Sequence, residues 1–550
     1  MNQKIRGAKP ARAGGYAIAA GHQKTAEAGI EMFRLGGNAF DAAVAAILAS
    51  FVAEPMLTSA AGGGFLLAHT QDNRNILFDF FTQTPRQKKS IRKINFYPVD
   101  VNFGDAIQTF HIGLGSMAVP GNLLGAFHVH QKLGQLPFHV VAEPAIHYAK
   151  NGIELSKFQA YCLNLLKPIM TASKEARQVY APAGELLQMG ESILMPDFAA
   201  TLTELIENGI EEFYLGEIAQ KIVKDCQNNG GYLTLEDFRN YQVIEREPLL
   251  VNYRDRILLT NPPPSSGGTL IAFATKLLST IDLNKIEWGS SYHLELLAQI
   301  MRLTNQARTD GYDTHIYQKD IAQQFLSPEH FAIYEQQLNK WGSTTHISVM
   351  DSEGNAASVT TSNGEGSGYV IPGTGIMVNN MLGEDDLNPH GFHNWHENRR
   401  ISSMMSPTIL LKDGQPEIIL GSGGSKRIRT AILQVISNLI DFEMSVHQAV
   451  ESPRVHWENS LFHLEPGFDL AKVTNITLPN QTEMVLWNEK NMFFGGVNTA
   501  IKTSAGLMAG AGDPRRQGVV AIAWKKFSAI PALKPRLCQK PGFLLNNLIC

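Results

Sequence analysis

Cysteine is scarce, with four residues in a chain of 550: Cys162, Cys226, Cys538 and Cys550. They lie far apart and form no Cys-x-x-Cys pair, which argues against a disulfide framework or a thiolate metal centre and leaves buried or free thiols. Long apolar runs are also lacking. The most hydrophobic stretch, Ala42 to Ala53, is too short to span a bilayer, so no membrane partner is expected. The N-terminus, "MNQKIRGAKPARAGGYAIAAGHQKTAEAG", carries basic residues without a continuous apolar core. No secretory signal is read there, and a cytoplasmic location is expected, or a periplasmic one should a leader precede this sequence. Charge of one sign is missing too: 47 Lys+Arg against 51 Asp+Glu leave a net charge of −4, which gives no reason to expect a nucleic-acid partner. The patterns HExxH, GxSxG and strand-plus-GxGxxG do not occur, and no period of roughly 20–50 residues repeats.

What is present is an ordinary globular balance, 44% apolar and 18% charged, with ample material for a core. The first half is helix-rich. "AEAGIEMFRLGGNAFDAAVAAILASFVAEP" predicts two helices, with Gly36-Gly37 ending the first and Asn38 starting the second. Alanines dominate the second, so neighbours can approach it closely. "SAAGGGFLLAH" and "RNILFDFFTQTP" predict strands, and "NPPPSSGGTLIAFATKLL" a proline turn running into a helix. From Ser343 onward strands dominate: "THISVMD", "GNAASVTTS", "GTGIMVNN", "SPTILLKDG" and "EIILGSGG". Helix-rich and strand-rich halves without a linker predict one α+β body with sheets built by both. The tail after Trp524 has five Lys/Arg and no acid, and is expected to pack loosely.

Three stretches invite chemistry. "GSGGSKRIRT" (421–430) resembles a phosphate loop, but Lys426 follows Ser425 and precedes Arg427, which breaks the Gly-Lys-Ser/Thr ending that nucleotide binding needs. His390, His393 and His396 lie among Pro, Gly, Asn and Trp with no carboxylate or thiol at ligand spacing, so they are read as loop residues and no metal is expected. "STTHISVMDSEGNAASVTTSN" (343–363) reads as a hairpin in which β-branched Thr344 and Thr345 are at home, so the local pattern alone favours plain structure.

The wider context changes that reading. The blocks "GGNAFDAAVAA", "EPMLTSAAGGGF", "VPGNLLGAFHVHQKLGQLPF", "LTLEDFRNY", "PPPSSGG", "TTHISVMDSEGNAASVT", "PGTGIMVNN", "SSMMSPTILLKDG" and "GSGGSKRI" occur in one order along the chain. In that order the chain resembles the γ-glutamyltransferase family of N-terminal nucleophile hydrolases, from about residue 15 to about residue 524. The resemblance implies a four-layer α-β-β-α sandwich. It also implies self-cleavage between Ser343 and Thr344 into a large subunit, 1–343, and a small one, 344–550, that stay together as a heterodimer. Thr344 would then carry both a hydroxyl nucleophile and a free α-amine. An unperturbed α-amine pKa near ~8 suits it as base for its own hydroxyl. By the same carry-over Ser362 hydrogen-bonds the nucleophile, and Gly423-Gly424 supply the amides that hold the oxyanion. No cofactor is implied.

The substrate clamp departs from the family. Where relatives read "DFRETAP", this chain reads "DFFTQTP", so Phe81 replaces the arginine that grips the glutamyl α-carboxylate. "NNQMDDF" becomes "NNMLGEDDLNP": Met381 replaces a glutamine, and Glu384 or Asp385 is the nearest acid for the α-amine. Asn363, Ser402 and Ser403 match substrate-binding positions, while Arg399 and Arg400 stand close enough in sequence to reach the carboxylate from the other side. The expectation is a threonine amidohydrolase or acyltransferase that takes a small amide or peptide, glutathione-like, and passes its acyl group to water or an amine. The alternatives are an acylase with a different acyl specificity and a processed homologue that only binds.

Overall fold

The computed structural model describes residues 15–102, 107–327, 330, 344–388, 390–458, 460–478 and 482–524. Thirteen strands make its two main sheets: β1 (Gly15–Ala20), β2 (Gly63–His69), β3 (Asn75–Phe80), β4 (Ile244–Arg246), β5 (Leu249–Tyr253), β6 (Arg256–Thr260), β7 (Thr345–Met350), β8 (Ala356–Ser362), β9 (Thr408–Lys412), β10 (Gln415–Gly423), β11 (Gly496–Lys502), β12 (Met508–Ala511) and β13 (Val519–Trp524). One sheet has the order β13-β1-β7-β8-β2-β3-β4, the other β12-β11-β10-β9-β6-β5, and every pairing is antiparallel. The hairpin of β7 and β8 therefore lies at the centre of the first sheet and packs across β10 and β11 of the second.

Side-chain alternation decides what each face meets. On β7 and β8, Ile347, Val349, Ala357 and Val359 enter the core beneath the helices Gln23–Arg34 and Ala39–Ala53. Helix Ala39–Ala53 is buried along its whole length, which its alanines permit, and Asn38 caps it with Asp41 in a capping box. The opposite face turns to the second sheet, and there the hydroxyl-rich sequence finds its use. Ser348 Oγ donates to the Asn498 carbonyl and Ser358 Oγ to that of Leu420, each at 3.0 Å. Asn498 Nδ2 donates to the His346 carbonyl at 2.7 Å. Elsewhere between the sheets the packing is apolar, through Phe65, Leu67, Phe81, Leu259, Ile409 and Ile419. The outer face of the second sheet is covered by the helices Ser266–Ser279 and Arg427–Ile440. Helix, sheet, sheet, helix is the four-layer sandwich expected.

One strand expectation fails. "GTGIMVNN" forms only isolated bridges, Val370 with Met377 and Ala61 with Val378. Gly373 at φ 75° and Gly375 at φ 65° fold the chain back, and Ile371 donates to the Ile376 carbonyl instead of to a ladder. Cys162 and Cys226 are buried free thiols, whereas Cys538, Cys550, the basic tail and Ser343 lie outside the described residues. Among the described residues no helix is long and apolar enough to cross a membrane.

His346 bridges the polar layer, with Nδ1 at 2.9 Å from Thr360 Oγ1 and Nε2 at 2.9 Å from Ser348 Oγ. Burial pushes its pKa down to about 3. The unfolded ring takes a proton near ~6.5, so below that pH the unfolded chain binds a proton that the folded chain refuses. The ring's contribution is thus complete above ~6.5 and is lost as pH falls toward about 3. Melting curves from about pH 7 to about pH 5 should show Tm falling, and less steeply in His346→Gln.

Candidate active site

Thr344 immediately precedes β7 and is buried. Its carbonyl accepts a hydrogen bond from Arg516 Nη1 at 3.2 Å, and Arg516 Nη2 donates to the Met492 carbonyl at the same distance. The end of β10 comes down on this point. A Cβ at Gly423 would sit 1.7 Å from the Thr344 carbonyl oxygen, so only glycine allows the approach. Gly424 adopts φ 119°, and a Cβ there would meet Gly495 Cα at 2.9 Å. Gly423 and Gly424 thus stand beside Thr344, where the two sheets converge.

The neighbour of Thr344 is held from the other side. Thr345 Oγ1 donates to Glu54 Oε2 at 2.6 Å, and Thr25 Oγ1 donates to Glu54 Oε1 at 2.8 Å. Burial raises the Glu54 pKa against the pull of these bonds and of Arg516. Ser362, at the end of β8, accepts from the Gly364 amide at 2.9 Å. Thr344 and Ser362 open onto one small cleft, shared with Phe81, Met381, Glu384 and Ser403. A main-chain carbonyl pinned by a guanidinium, two hydroxyls on one cleft and paired glycines beside it make an arrangement suited to acyl transfer.

The sequence profile of the gamma-glutamyltranspeptidase family matches residues 25–523. The chain belongs to that family. It is 30% identical to the glutathione hydrolase proenzyme of Escherichia coli (strain K12), over 92% of this chain and 91% of that one. It is 29% identical to the Acylase ACY 1 proenzyme of Pseudomonas sp. (strain SE83), over 94% and 95%. Among solved structures, the cephalosporin acylase from Bacillus halodurans superposes with a TM-score of 0.79 at 24% identity, covering 95% of this chain and 98% of that one, a likeness of fold. As a gamma-glutamyltranspeptidase family member the protein is an enzyme of the N-terminal nucleophile hydrolase class.

The remaining expected site residues divide. Glu384 is buried on the cleft, with Oε1 unpartnered among the described residues. Burial raises its pKa well above the usual range, and the neighbouring Glu365 and Asp386 add to the rise. Asn363 is buried next to Ser362, its Oδ1 also unpartnered among the described residues. Ser403 lines the cleft, its Oγ accepting from the Met405 amide at 3.1 Å. Ser402 stands further out, half-buried, with its Oγ 3.0 Å from Ser266 Oγ.

Asp385 is a correction. It is exposed, and Asp386 lines the cleft instead, bound by Ser425 Oγ and 3.3 Å from Lys426 Nζ. The three residues Asp385–Leu387 form a single 3₁₀ turn, in which adjacent side chains point about 120° apart, so one acid faces inward and the next cannot. Arg400 is a second correction. Its Nη1 donates to the Phe81 carbonyl and its Nη2 to that of Gln242, while its guanidinium lies 4.7 Å from the Tyr241 ring centroid. It buttresses the backbone behind Phe81 and is not among the described residues that line the cleft. Arg399 is exposed, stacked 5.7 Å over Tyr317.

Sequence reasoning missed Glu54, Arg516 and Asp386. Glu54 opens the block "EPMLTSAAGGGF" and could have been found by asking what a helix-ending acid binds. Arg516 lies 172 positions from Thr344 in a stretch with no local signature.

Gly423→Ala is expected to push the Thr344 carbonyl away and to cut amide turnover by about 10²-fold or more, since a displacement near 1 Å at a reacting group costs that much. Steady-state kinetics beside a melting curve will separate this loss from unfolding.

Proposed function

We propose that the protein is a self-cleaving threonine amidohydrolase whose acyl pocket takes a group that is apolar next to its carbonyl. The cut is placed between Ser343 and Thr344, leaving a large subunit of residues 1–343 and a small one of 344–550. The proenzyme names of its relatives support such processing. Released, the Thr344 α-amine takes the proton of its own hydroxyl, and Oγ attacks the amide carbonyl. The oxyanion is held by the Gly423 and Gly424 amides, and Ser362 steadies the nucleophile. Arg516 and Glu54 fix the backbone and the neighbouring side chain, so that Oγ meets the carbonyl in one orientation. The amine leaves with the proton, and water or a second amine takes the acyl group from Thr344.

The observation that carries the acyl preference is the cleft wall. Phe81, Met381, Leu387, Met404, Met405 and Ile428 line it, and none of its described lining residues is basic. Phe81 is fully buried and stacked on Phe65 with centroids 5.4 Å apart, so it is part of the inter-sheet core as well as of the cleft. A γ-glutamyl α-carboxylate placed there would lose its hydration without gaining a charged fork. A γ-glutamyl reading is favoured by the unpartnered Asn363 Oδ1 and Glu384 Oε1, which offer acceptors to an α-amine.

Intact-mass analysis should find a fragment beginning Thr-Thr-His. Thr344→Ala should abolish both that fragment and turnover, while Thr344→Ser, which keeps the hydroxyl, retains part of each. An uncut but fully active wild-type protein would remove the mechanism. On nitroanilides, butanoyl should exceed γ-glutamyl by about tenfold or more in kcat/KM, mainly through KM, because the missing bidentate contact is worth more than the ~1.4 kcal/mol that tenfold represents. The reverse order would assign the γ-glutamyl specificity.

A further inference from the structure

The cleft does not end at Glu384. Asp386, Leu387, Ser403 and Met404 also line a larger vestibule that opens to solvent. Its wall holds Arg308, a residue only 4% exposed. Arg308 opens a π-helical turn, Arg308–Tyr312, that follows the helix Ser291–Ala307. Such wide turns re-aim side chains and recur at functional sites.

The guanidinium is half used. Its Nε donates to Asp313 Oδ2 at 2.8 Å, whereas Nη1 is buried with no hydrogen-bond partner among the described residues. A charged donor kept dry and unpaired is costly unless a ligand completes it. The acids near it are already engaged. Asp313 is in the pair just named, and Asp386 is held by Ser425 and Lys426. The same vestibule wall carries Ser266 and Ser402, whose hydroxyls can turn from each other to an anion.

We infer that Arg308 binds a carboxylate of the substrate, set apart from the scissile amide by an apolar stretch that lies along Leu387 and Met404. This rests on the amidohydrolase reading and sharpens it: the cation missing at Phe81 is supplied further out, so the enzyme selects a carboxylate that a γ-glutamyl group does not place there. Arg308 is then a specificity-determining residue.

The test measures binding and does not require turnover. The ω-carboxylate amides succinamate, glutaramate and adipamate are titrated calorimetrically against the processed protein, each beside its neutral counterpart without the carboxylate. Pentanoylglycine beside pentanoylglycinamide places the carboxylate on the amine side instead. In wild type at least one charged member should bind tenfold or more tighter than its neutral partner, and the arm in which it does so tells which side of the amide faces Arg308. Arg308→Gln should bring that ratio to about one. Arg308→Lys, which keeps the charge and loses the fork, should shrink it, and decides the matter if Arg308→Gln does not fold. Equal binding of every pair in wild type, or a ratio unchanged in both variants, would overturn the inference. Turnover of the butanoyl anilide tests the amidohydrolase reading separately: an inert protein with an Arg308-dependent ratio sinks that reading and leaves this one standing.

Discussion

The constraint on which the site depends is the contact between the Thr344 carbonyl and Gly423. Two sheets packed face to face normally stand about 10 Å apart, a gap filled by side chains. At this point the side chain is deleted from one partner, and the backbones of β7 and β10 close together. Beside the closure lies the Arg516 guanidinium, which bonds to the Thr344 carbonyl and the Met492 carbonyl and flanks both glycines. Burial depresses the Arg516 pKa, but nearby Asp513 and Glu54 oppose the shift, and a guanidinium remains charged in any case. A buried cation is thus stationed where the chain must be both rigid and close to glycine amides.

The hydroxyl-rich hairpin is explained by the same geometry. Its Ser and Thr side chains are buried on both faces, and most are consumed by structure: toward the other sheet, Ser348 and Ser358 on its carbonyls and Thr360 on His346; on the helix side, Thr345 on Glu54 and Thr361 with Thr58. The strands, their turn and the α+β class were legible because period-two alternation and β-branched residues survive in the sequence. The proposal of Thr344 as nucleophile among so many hydroxyls was not legible from local pattern and came from the resemblance of ordered blocks. What singles it out physically is position, at the first step before the strand, where convergence with β10 ends.

The clamp shows the opposite balance. Replacement of an arginine by Phe81 can be read directly, but its consequence cannot, because Phe81 faces both the inter-sheet core and the cleft. Arg400 looked available by sequence distance, yet a buried guanidinium takes the carbonyls that surround it, here those of Phe81 and Gln242. Asp385 and Asp386 are adjacent identical residues, and only the rotation of one 3₁₀ turn distinguishes them. Arg308 carried no sequence signal, since it becomes notable only when its neighbours are counted and found engaged.

The electrostatics of the cleft then bear on what it accepts. Glu384 shares its surroundings with Glu365 and Asp386, and burial, helped by these neighbours, raises its carboxyl well above the ordinary range. Asp386 pairs with Lys426 at 3.3 Å, an ammonium whose own pKa burial draws down to about 8. On the proposed reading, the wall of methionines and Phe81 favours an apolar acyl chain over a charged one on desolvation grounds. The charge that orients such a substrate is then met outside the cleft, where the proposal places it at Arg308.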